Sequence, residues 1–466
     1  MKKPVDEQVI QIDTRYAVIL FYASVFMVFL IAIFRDFDRD ELEAVHSAWK
    51  LLQGESIYKD FFQHHHAFLY HLISPVIDLF GEDVIVLYVL RLINFSCFLG
   101  MLWCTFQIME VVFQNKQTSW LSVFLLASTV IFVEKAIEIR PDVPQILFGL
   151  FAILFLFRHV YGREQWTHLL SAFCLGVSFL FLQKAIFIVA GLGALQLIWH
   201  FESRFSLKKL ITYWLIFGIT ISPYFILLIS EQEFENYVFW NWIINMHFDD
   251  AFSPFKVILN SFYYNHILWV FFLLGIINCF KNTGRDLSIL SLLLLGSVFL
   301  VQAPYRQYFM SALPLMCGVA AYGMLNVLSL KRLKLVVILA FIVPAVFLVR
   351  TLIVYPNAPQ VAKINWVLNH TEPTDFVYDG NIDFNIFRKD LDFFWYSVAP
   401  GKGGLATYQK LKPYTYDIYV LIEECSPRLI SNKFIEDINH PIIKEQYKKS
   451  SEYDDLYIRK STLLLD

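Results

Sequence analysis

The chain alternates between long apolar runs and short polar connectors. The runs fall at roughly 16–34, 84–112, 119–134, 144–160, 168–183, 185–200, 211–230, 262–280, 287–302, 309–328 and 333–354. The hydrocarbon core of a bilayer is about 30 Å thick and takes about 20 helical residues to cross. The pattern therefore predicts about eleven transmembrane helices, since helices satisfy their own backbone in lipid. The division between 168–183 and 185–200 rests on Gln183 and Lys184 alone. From about Tyr355 the pattern turns mixed and polar. There 358–369 and 403–412 are spaced as helices, while FVYDG and YDIYVLIEE read as strands. The expected fold is an α-helical polytopic membrane protein with a small C-terminal extracytoplasmic α/β domain. Residues 1–354 would form the membrane domain and 355–466 the soluble one.

Composition agrees with that class: 57% of residues are hydrophobic and 17% charged. A net charge of −3 gives no basic footprint, so nucleic acid is not an expected partner. The start, MKKPVDEQVIQIDTRYA, lacks the short apolar core and cleavage site of a signal peptide, so the first run is expected to remain as an anchor. Five of the six cysteines sit in apolar runs and Cys425 is alone in the polar tail, so no disulfide framework is expected.

Lys and Arg set the orientation. Connectors holding Lys2, Lys3, Arg15, Lys116, Arg158, Arg163, Arg204, Lys208, Lys209, Lys281, Arg285, Lys331, Arg332 and Lys334 fall on one side, which is expected to be cytoplasmic with the N-terminus. The opposite connectors collect acids, histidines and aromatics.

The first outer connector, 35–83, holds Asp36, Asp38, Asp40, Glu41 and Glu43, then His64, His65 and His66. Part of this is ordinary helix chemistry. Asp40 with Glu43 three residues on reads as a capping box. Leu42, Val45, Trp49 and Leu52 form a helical stripe, and Gly54 reads as its stop. That helix is expected to lie on the membrane face. A cap uses one carboxylate, which leaves others for chemistry. The second outer connector, VEKAIEIRPDVPQ, sets Arg140 and Asp142 around Pro141. Lys184 sits at an outer span end, where it either snorkels to the interface or meets a phosphate. Residues 231–261 read as an aromatic interfacial belt, with Asp249 and Asp250 unassigned. A late outer connector carries Arg306 between Tyr305 and Tyr308.

These motifs resemble polytopic glycosyltransferases of the GT-C class. The similarity is greatest to the branch of protein O-mannosyltransferases, aminoarabinose transferase and RgtA/B/C/D-like proteins. The first connector matches in Asp40-Glu41, in the turn Gly54, Tyr58, Asp60, and in the histidine triplet, with Ala67 where a proline is usual. The second matches in R-P-D-x-P, and the late one in P-Y-R-x-Y followed by L-P-L. The resemblance implies transfer of a sugar from a polyprenyl-phosphate donor, with inversion, to a lipid, glycan or protein acceptor outside the membrane. It implies Asp40 or Glu41 as general base, with Asp142 as a second catalytic acid. It implies His65, His66, Arg140, Lys184, Arg306 and Tyr308 as substrate contacts. The expected location is a bacterial inner membrane. No cofactor is assigned; a divalent metal stays open, because the acids and histidines offer it ligands. The rival class is a transporter or lipid flippase, which should show ionisable groups at mid-membrane and broken helices in paired positions.

Overall fold

The computed structural model describes residues 15–248, 253–301 and 304–460. Lys2, Lys3, Asp249 and Asp250 lie outside the described residues. The membrane part runs α1 (Arg15–Phe34), α2 (Arg39–Leu52), α3 (Phe68–Phe80), α4 (Ile85–Phe113), α5 (Lys116–Ala127), α6 (Val130–Ala136), α7 (Asp142–Tyr161), α8 (Thr167–Phe181), α9 (Ile186–Phe201) and α10 (Leu207–Ser230). It continues with α11 (Phe234–Val238), α12 (Ile244–His247), α13 (Pro254–Tyr264), α14 (His266–Lys281), α15 (Arg285–Gly296), α16 (Leu313–Val327) and α17 (Leu330–Val354).

Among the described residues six helices are long and apolar enough to cross a membrane: α1, α4, α7, α9 with the turn before it, α10 and α17. Two bent pairs raise this to eight if each counts as one span, α5 with α6 at 70° and α13 with α14 at 104°. The protein is an integral membrane protein, but helix length supports fewer spans than the eleven apolar runs. The difference lies in α8, α15 and α16, which are helical and apolar but have only 15, 12 and 15 residues. Apolarity marks a segment as buried and does not measure its length as a helix. The break at Gln183–Ala185 is present, as one 3₁₀ turn after an extended Leu182. Where α14 crosses α16 the backbones nearly touch: a Cβ on Gly323 would stand 2.7 Å from the Gly275 Cα. Only small residues permit that approach.

The tail holds α18 (Ala358–Asn369), β1 (Val377–Tyr378), α19 (Gly403–Leu411), α20 (Ile418–Cys425), β2 (Leu429–Ser431), α21 (Pro441–Gln446), β3 (Tyr447–Lys449) and β4 (Leu456–Arg459). Its sheet has the order β1-β2-β4-β3, with β1 and β2 parallel and the other pairs antiparallel. One expectation is overturned: YDIYVLIEE is helix α20, not a strand. Asp417 caps it by accepting from the backbone of Tyr419 and Val420, and Ile418 and Ile422 are buried one turn apart. The cap and this spacing outweigh the β-branched alternation.

The tail does not stand apart. Its Phe394, Trp395 and Leu405 share one core with Trp49, Phe61 and Phe62 of the first loop. Trp395 donates to the carbonyl of Phe62 at 3.0 Å, and Arg388 pairs with Glu82 at 2.8 Å. Helix α2 is accordingly buried from Glu41 to Lys50. It is a covered helix, where the sequence predicts one lying on the membrane surface.

Candidate active site

The cap of α2 is Asp38, two residues earlier than the Asp40 that the spacing predicts. Its carboxylate accepts from the Asp40 backbone, and Glu41 returns to the Asp38 backbone to complete the box. Asp40 therefore caps nothing. It stands in the first helical turn with its side chain 46% exposed. Its Oδ2 accepts from Arg140 Nη1, and its Oδ1 has no protein partner among the described residues.

Glu41, the other half of the acidic pair, is buried and fully engaged. Arg91 grips it with two parallel bonds of 2.8 and 2.6 Å, and the backbones of Asp38 and Ile139 donate to it at 2.8 and 3.1 Å. Arg91 also lies over the Phe37 ring. The ionisable residue inside span α4 thus has a carboxylate of its own at the end of the span that meets the first loop.

Arg140 joins the two loops. Its Nη1 meets Asp40 and its Nε lies 3.5 Å from Asp142. Burial works against the charge on Arg140, but the carboxylates of Asp40, Asp142, Glu138 and Asp38 outweigh it and raise its pKa. Lys184 reaches Asp142 at 3.3 Å and sits 4.3 Å from the Tyr308 ring centre. Asp40, Arg140, Asp142, Lys184 and Tyr308 therefore form one linked array. Arg306 is not joined to it. It is exposed, rests over the Tyr264 ring, and has no carboxylate partner among the described residues.

The histidines divide. His66 is used up, with Nε2 at 2.9 Å from the Tyr237 hydroxyl and Nδ1 at 3.3 Å from the Leu180 carbonyl. That geometry corrects the expectation of a substrate contact and makes His66 a strut between loop and bundle. His65 holds Tyr58 through its carbonyl at 2.7 Å, while its Nδ1 is buried without a partner. His64 contacts the Tyr396 hydroxyl at 2.8 Å through Nδ1. Burial, then the charges of Lys184 and Arg140, pushes His64 down to about 3; burial, His64 and the same two cations lower His65. Both rings are neutral near pH 7.

Three participants are absent from the motif reading: Glu43, Gln63 and Tyr396. Gln63 donates to Glu43 and to Ser47, and its oxygen accepts from the backbones of His64 and His65 and from Tyr396. It thereby fixes the histidine turn. Burial, then the charge of Asp40, pushes Glu43 up to about 8. Its place in a capping-box pattern concealed it. Tyr396 carries no local signal, because only the folded tail brings it here. Among the described residues no three His, Cys, Asp or Glu side chains are grouped to hold a metal ion.

Residues 65–227 match the family described as dolichyl-phosphate-mannose-protein mannosyltransferase. A search of curated proteins gives no match. Among solved structures the chain is similar to ArnT from Cupriavidus metallidurans bound to undecaprenyl phosphate, with 11% identity and a TM-score of 0.64 over 90% of this chain and 93% of that one. It is also similar to the oligosaccharyltransferase AglB from Archaeoglobus fulgidus in complex with an inhibitory peptide and a dolichol-phosphate (11%, 0.52, 98% and 75%). A third similarity is to the arabinofuranosyltransferase AftD from Mycobacteria (11%, 0.50, 96% and 40%). The fold of this chain is that of the GT-C membrane glycosyltransferases, the class to which its loop motifs point.

Proposed function

We propose that this chain is a membrane glycosyltransferase. It moves a sugar from a polyprenyl-phosphate donor to a hydroxyl of a lipid, glycan or protein acceptor on the outer face of a bacterial inner membrane. The observation that carries this reading is Asp40: a half-exposed carboxylate with one free oxygen, set in an otherwise internal array of Arg140, Asp142 and Lys184. The fold shared with proteins bound to undecaprenyl phosphate and dolichol-phosphate supports the donor class.

In this mechanism the acceptor hydroxyl loses its proton to Asp40 Oδ1. Its oxygen attacks the anomeric carbon as the bond to the donor phosphate breaks, and the configuration inverts. The polyprenyl phosphate leaves as an anion. Arg140 and Lys184 are fixed beforehand and need no reorganisation to meet that charge. Exposed Arg306 offers a fork that suits phosphate geometry. Asp142 holds both inner cations in place. His65, partly exposed and neutral, is a contact for the sugar or phosphate. Glu41 has no free lone pair for catalysis and serves as a positioning residue through Arg91.

The transporter reading draws on the two bent helix pairs. Their breaks meet at Asn265, whose Oδ1 accepts from the Val130 backbone at 3.2 Å, and the neighbouring polar residues are Ser128, Thr129, Tyr264 and His266. Among the described residues no carboxylate, lysine or arginine lines this space, while such residues gather at the loop end, which favours the enzyme.

Asp40→Asn tests the proposal cleanly, because Asp40 is not a cap. Transfer should fall by about two to four orders of magnitude with thermal stability nearly unchanged. Glu41→Gln should show the opposite balance and lose stability first, since it strips a buried Arg91 of its counter-charge. Retained transfer in Asp40→Asn would remove the base assignment. Mass spectrometry of co-purifying lipids checks the donor: a polyprenyl phosphate is expected.

A further inference from the structure

On the same outer face a second cavity, of about 520 Å³, opens between the first loop, the 231–248 segment and the tail. It is separate from the acid–base array. Its walls are rings: Trp240, Phe393, Phe394, Tyr408 and Tyr414. Tyr408 is their hub, with ring centres 5.1 Å from Trp240, 5.3 Å from Phe394 and 5.4 Å from Tyr414. Polar groups line the same space, Lys59 from the first loop, Glu235 and Asn236 from α11, and Lys412 after α19. Lys412 lies 4.2 Å from the Phe239 ring centre, so a cation already uses one aromatic face.

The backbone is adapted to this space. Phe239–Ile243 is a single π-helical turn between α11 and α12, and Phe239, Trp240 and Ile243 of that turn line the cavity. Such turns are frequent at functional sites. Tyr58 is held at a φ of 71°, a left-handed conformation that tyrosine adopts at a cost. It lines the cavity while its hydroxyl bonds the His65 carbonyl, so one residue touches both places. Phe62 forms the partition. It contacts Trp240 and Phe394 on the cavity side and His64 and Tyr396 on the other.

We infer that this cavity is a glycan-binding site, which takes saccharide units of the acceptor or donor glycan at a distance from the reacting sugar. A pyranose has apolar C–H faces and a hydroxyl edge. The cavity offers the partly exposed rings of Phe239, Phe393, Tyr408 and Tyr414 together with hydrogen-bonding groups on three separate segments. A prenyl chain has no use for two lysines, a glutamate and an asparagine. The volume lies within the usual range of about 300–1,000 Å³ for small-ligand sites and accommodates more than one sugar ring. The partition keeps any bound unit from Asp40, so the cavity selects which glycan is presented and takes no part in the chemistry. The inference rests on the proposed glycosyltransferase reading.

The test is binding of the purified full chain in nanodiscs to an array of synthetic and bacterial-type oligosaccharides, with hits titrated in solution. Wild type should bind a restricted set of glycans. Tyr408→Ala, which removes the ring hub, and Lys412→Ala, at an exposed position, should each weaken the hits at least tenfold. Tyr408→Phe keeps the ring and should retain most binding, which controls for folding. Asp40→Asn should bind as wild type while losing transfer. Binding is thereby separated from chemistry, and failure of either reading shows in its own assay. No retained glycan, equal binding by the Tyr408→Ala and Lys412→Ala proteins, or a phospholipid held in native mass spectra and lost in Tyr408→Ala would each overturn the assignment.

Discussion

Asp40 and Glu41 are neighbours in sequence and have opposite fates. Successive helical residues point about 100° apart, so the first turn of α2 sends Asp40 toward Arg140 and Glu41 inward to Arg91. The acidic pair was legible as a motif. The choice between its members was not, because it depends on which side the rest of the molecule covers. Glu43 was hidden for the same reason. Gln63 and Tyr70 donate to its carboxyl, with the charges of Asp40 and Arg140 beyond and Tyr396 beside it. Burial pushes it up from 4.5 to about 8. Between these two values the folded protein holds a proton that the unfolded chain releases. Linkage then makes the Glu43 contribution to stability greatest below about pH 4.5, falling as pH rises to about 8 and level above. It is read in detergent as the difference in thermal midpoint between wild type and Glu43→Gln across that range. Glu43→Gln, which cannot ionise, should lack this component and gain on wild type by up to a few kcal/mol at pH 8 relative to pH 5. Parallel pH curves for the two proteins would show that Glu43 is already ionised in the folded state.

The eleven apolar runs each carry a helix, so the order of elements in the membrane was readable from hydropathy. Lengths and breaks were not. A break needs a partner for the backbone groups it frees, and that partner comes from elsewhere in the fold. Val130 loses its helical acceptor at the α5–α6 bend, and Asn265, itself at the α13–α14 bend, supplies one. Two kinks therefore depend on one side chain. Asn265→Leu keeps the bulk but leaves the Val130 N–H buried and unpaired, at a cost of about 1–3 kcal/mol. The expected result is a clear drop in thermal midpoint, larger than for Asn278→Leu, whose amide is exposed and bonds only within its own helix. In the tail the α20 error has a related cause. YDIYVLIEE satisfies both periods, and only the Asp417 cap and the burial of Ile418 and Ile422 decide between them.

At the scale of the whole molecule, the acid–base array and the basic connectors lie at opposite ends of the same helices. Helix α7 begins at Asp142 in the array and ends at Tyr161, whose hydroxyl donates to Asp286 at 2.7 Å. Arg204 meets that same aspartate at 2.9 Å, and Arg285 joins it at 3.1 Å. Two of the connectors predicted to be cytoplasmic, at Arg204 and Arg285, thus share one charged cluster with the end of α7, at the far end of that helix from Asp142. The tail belongs with the array: His46 and Lys50 of α2 both bind Asp390, at 2.7 and 2.8 Å, and Tyr396 bonds Gln63. These contacts require the first loop and the tail to lie on one side of the membrane, whichever side that is. Positive-inside bias then assigns that side to the exterior. Single-cysteine labelling with an impermeant reagent should therefore modify Lys59→Cys and Asn432→Cys in intact cells, and Lys116→Cys and Thr283→Cys only after permeabilisation. All four positions are exposed, whereas Gln63 is buried and Asn115 caps α5, so neither reports faithfully. Labelling of Lys59 and Asn432 on opposite sides would contradict the packing of loop on tail. Labelling of both from the inside alone would leave that packing intact and reverse the orientation, which would place Asp40 and its acceptor in the cytoplasm.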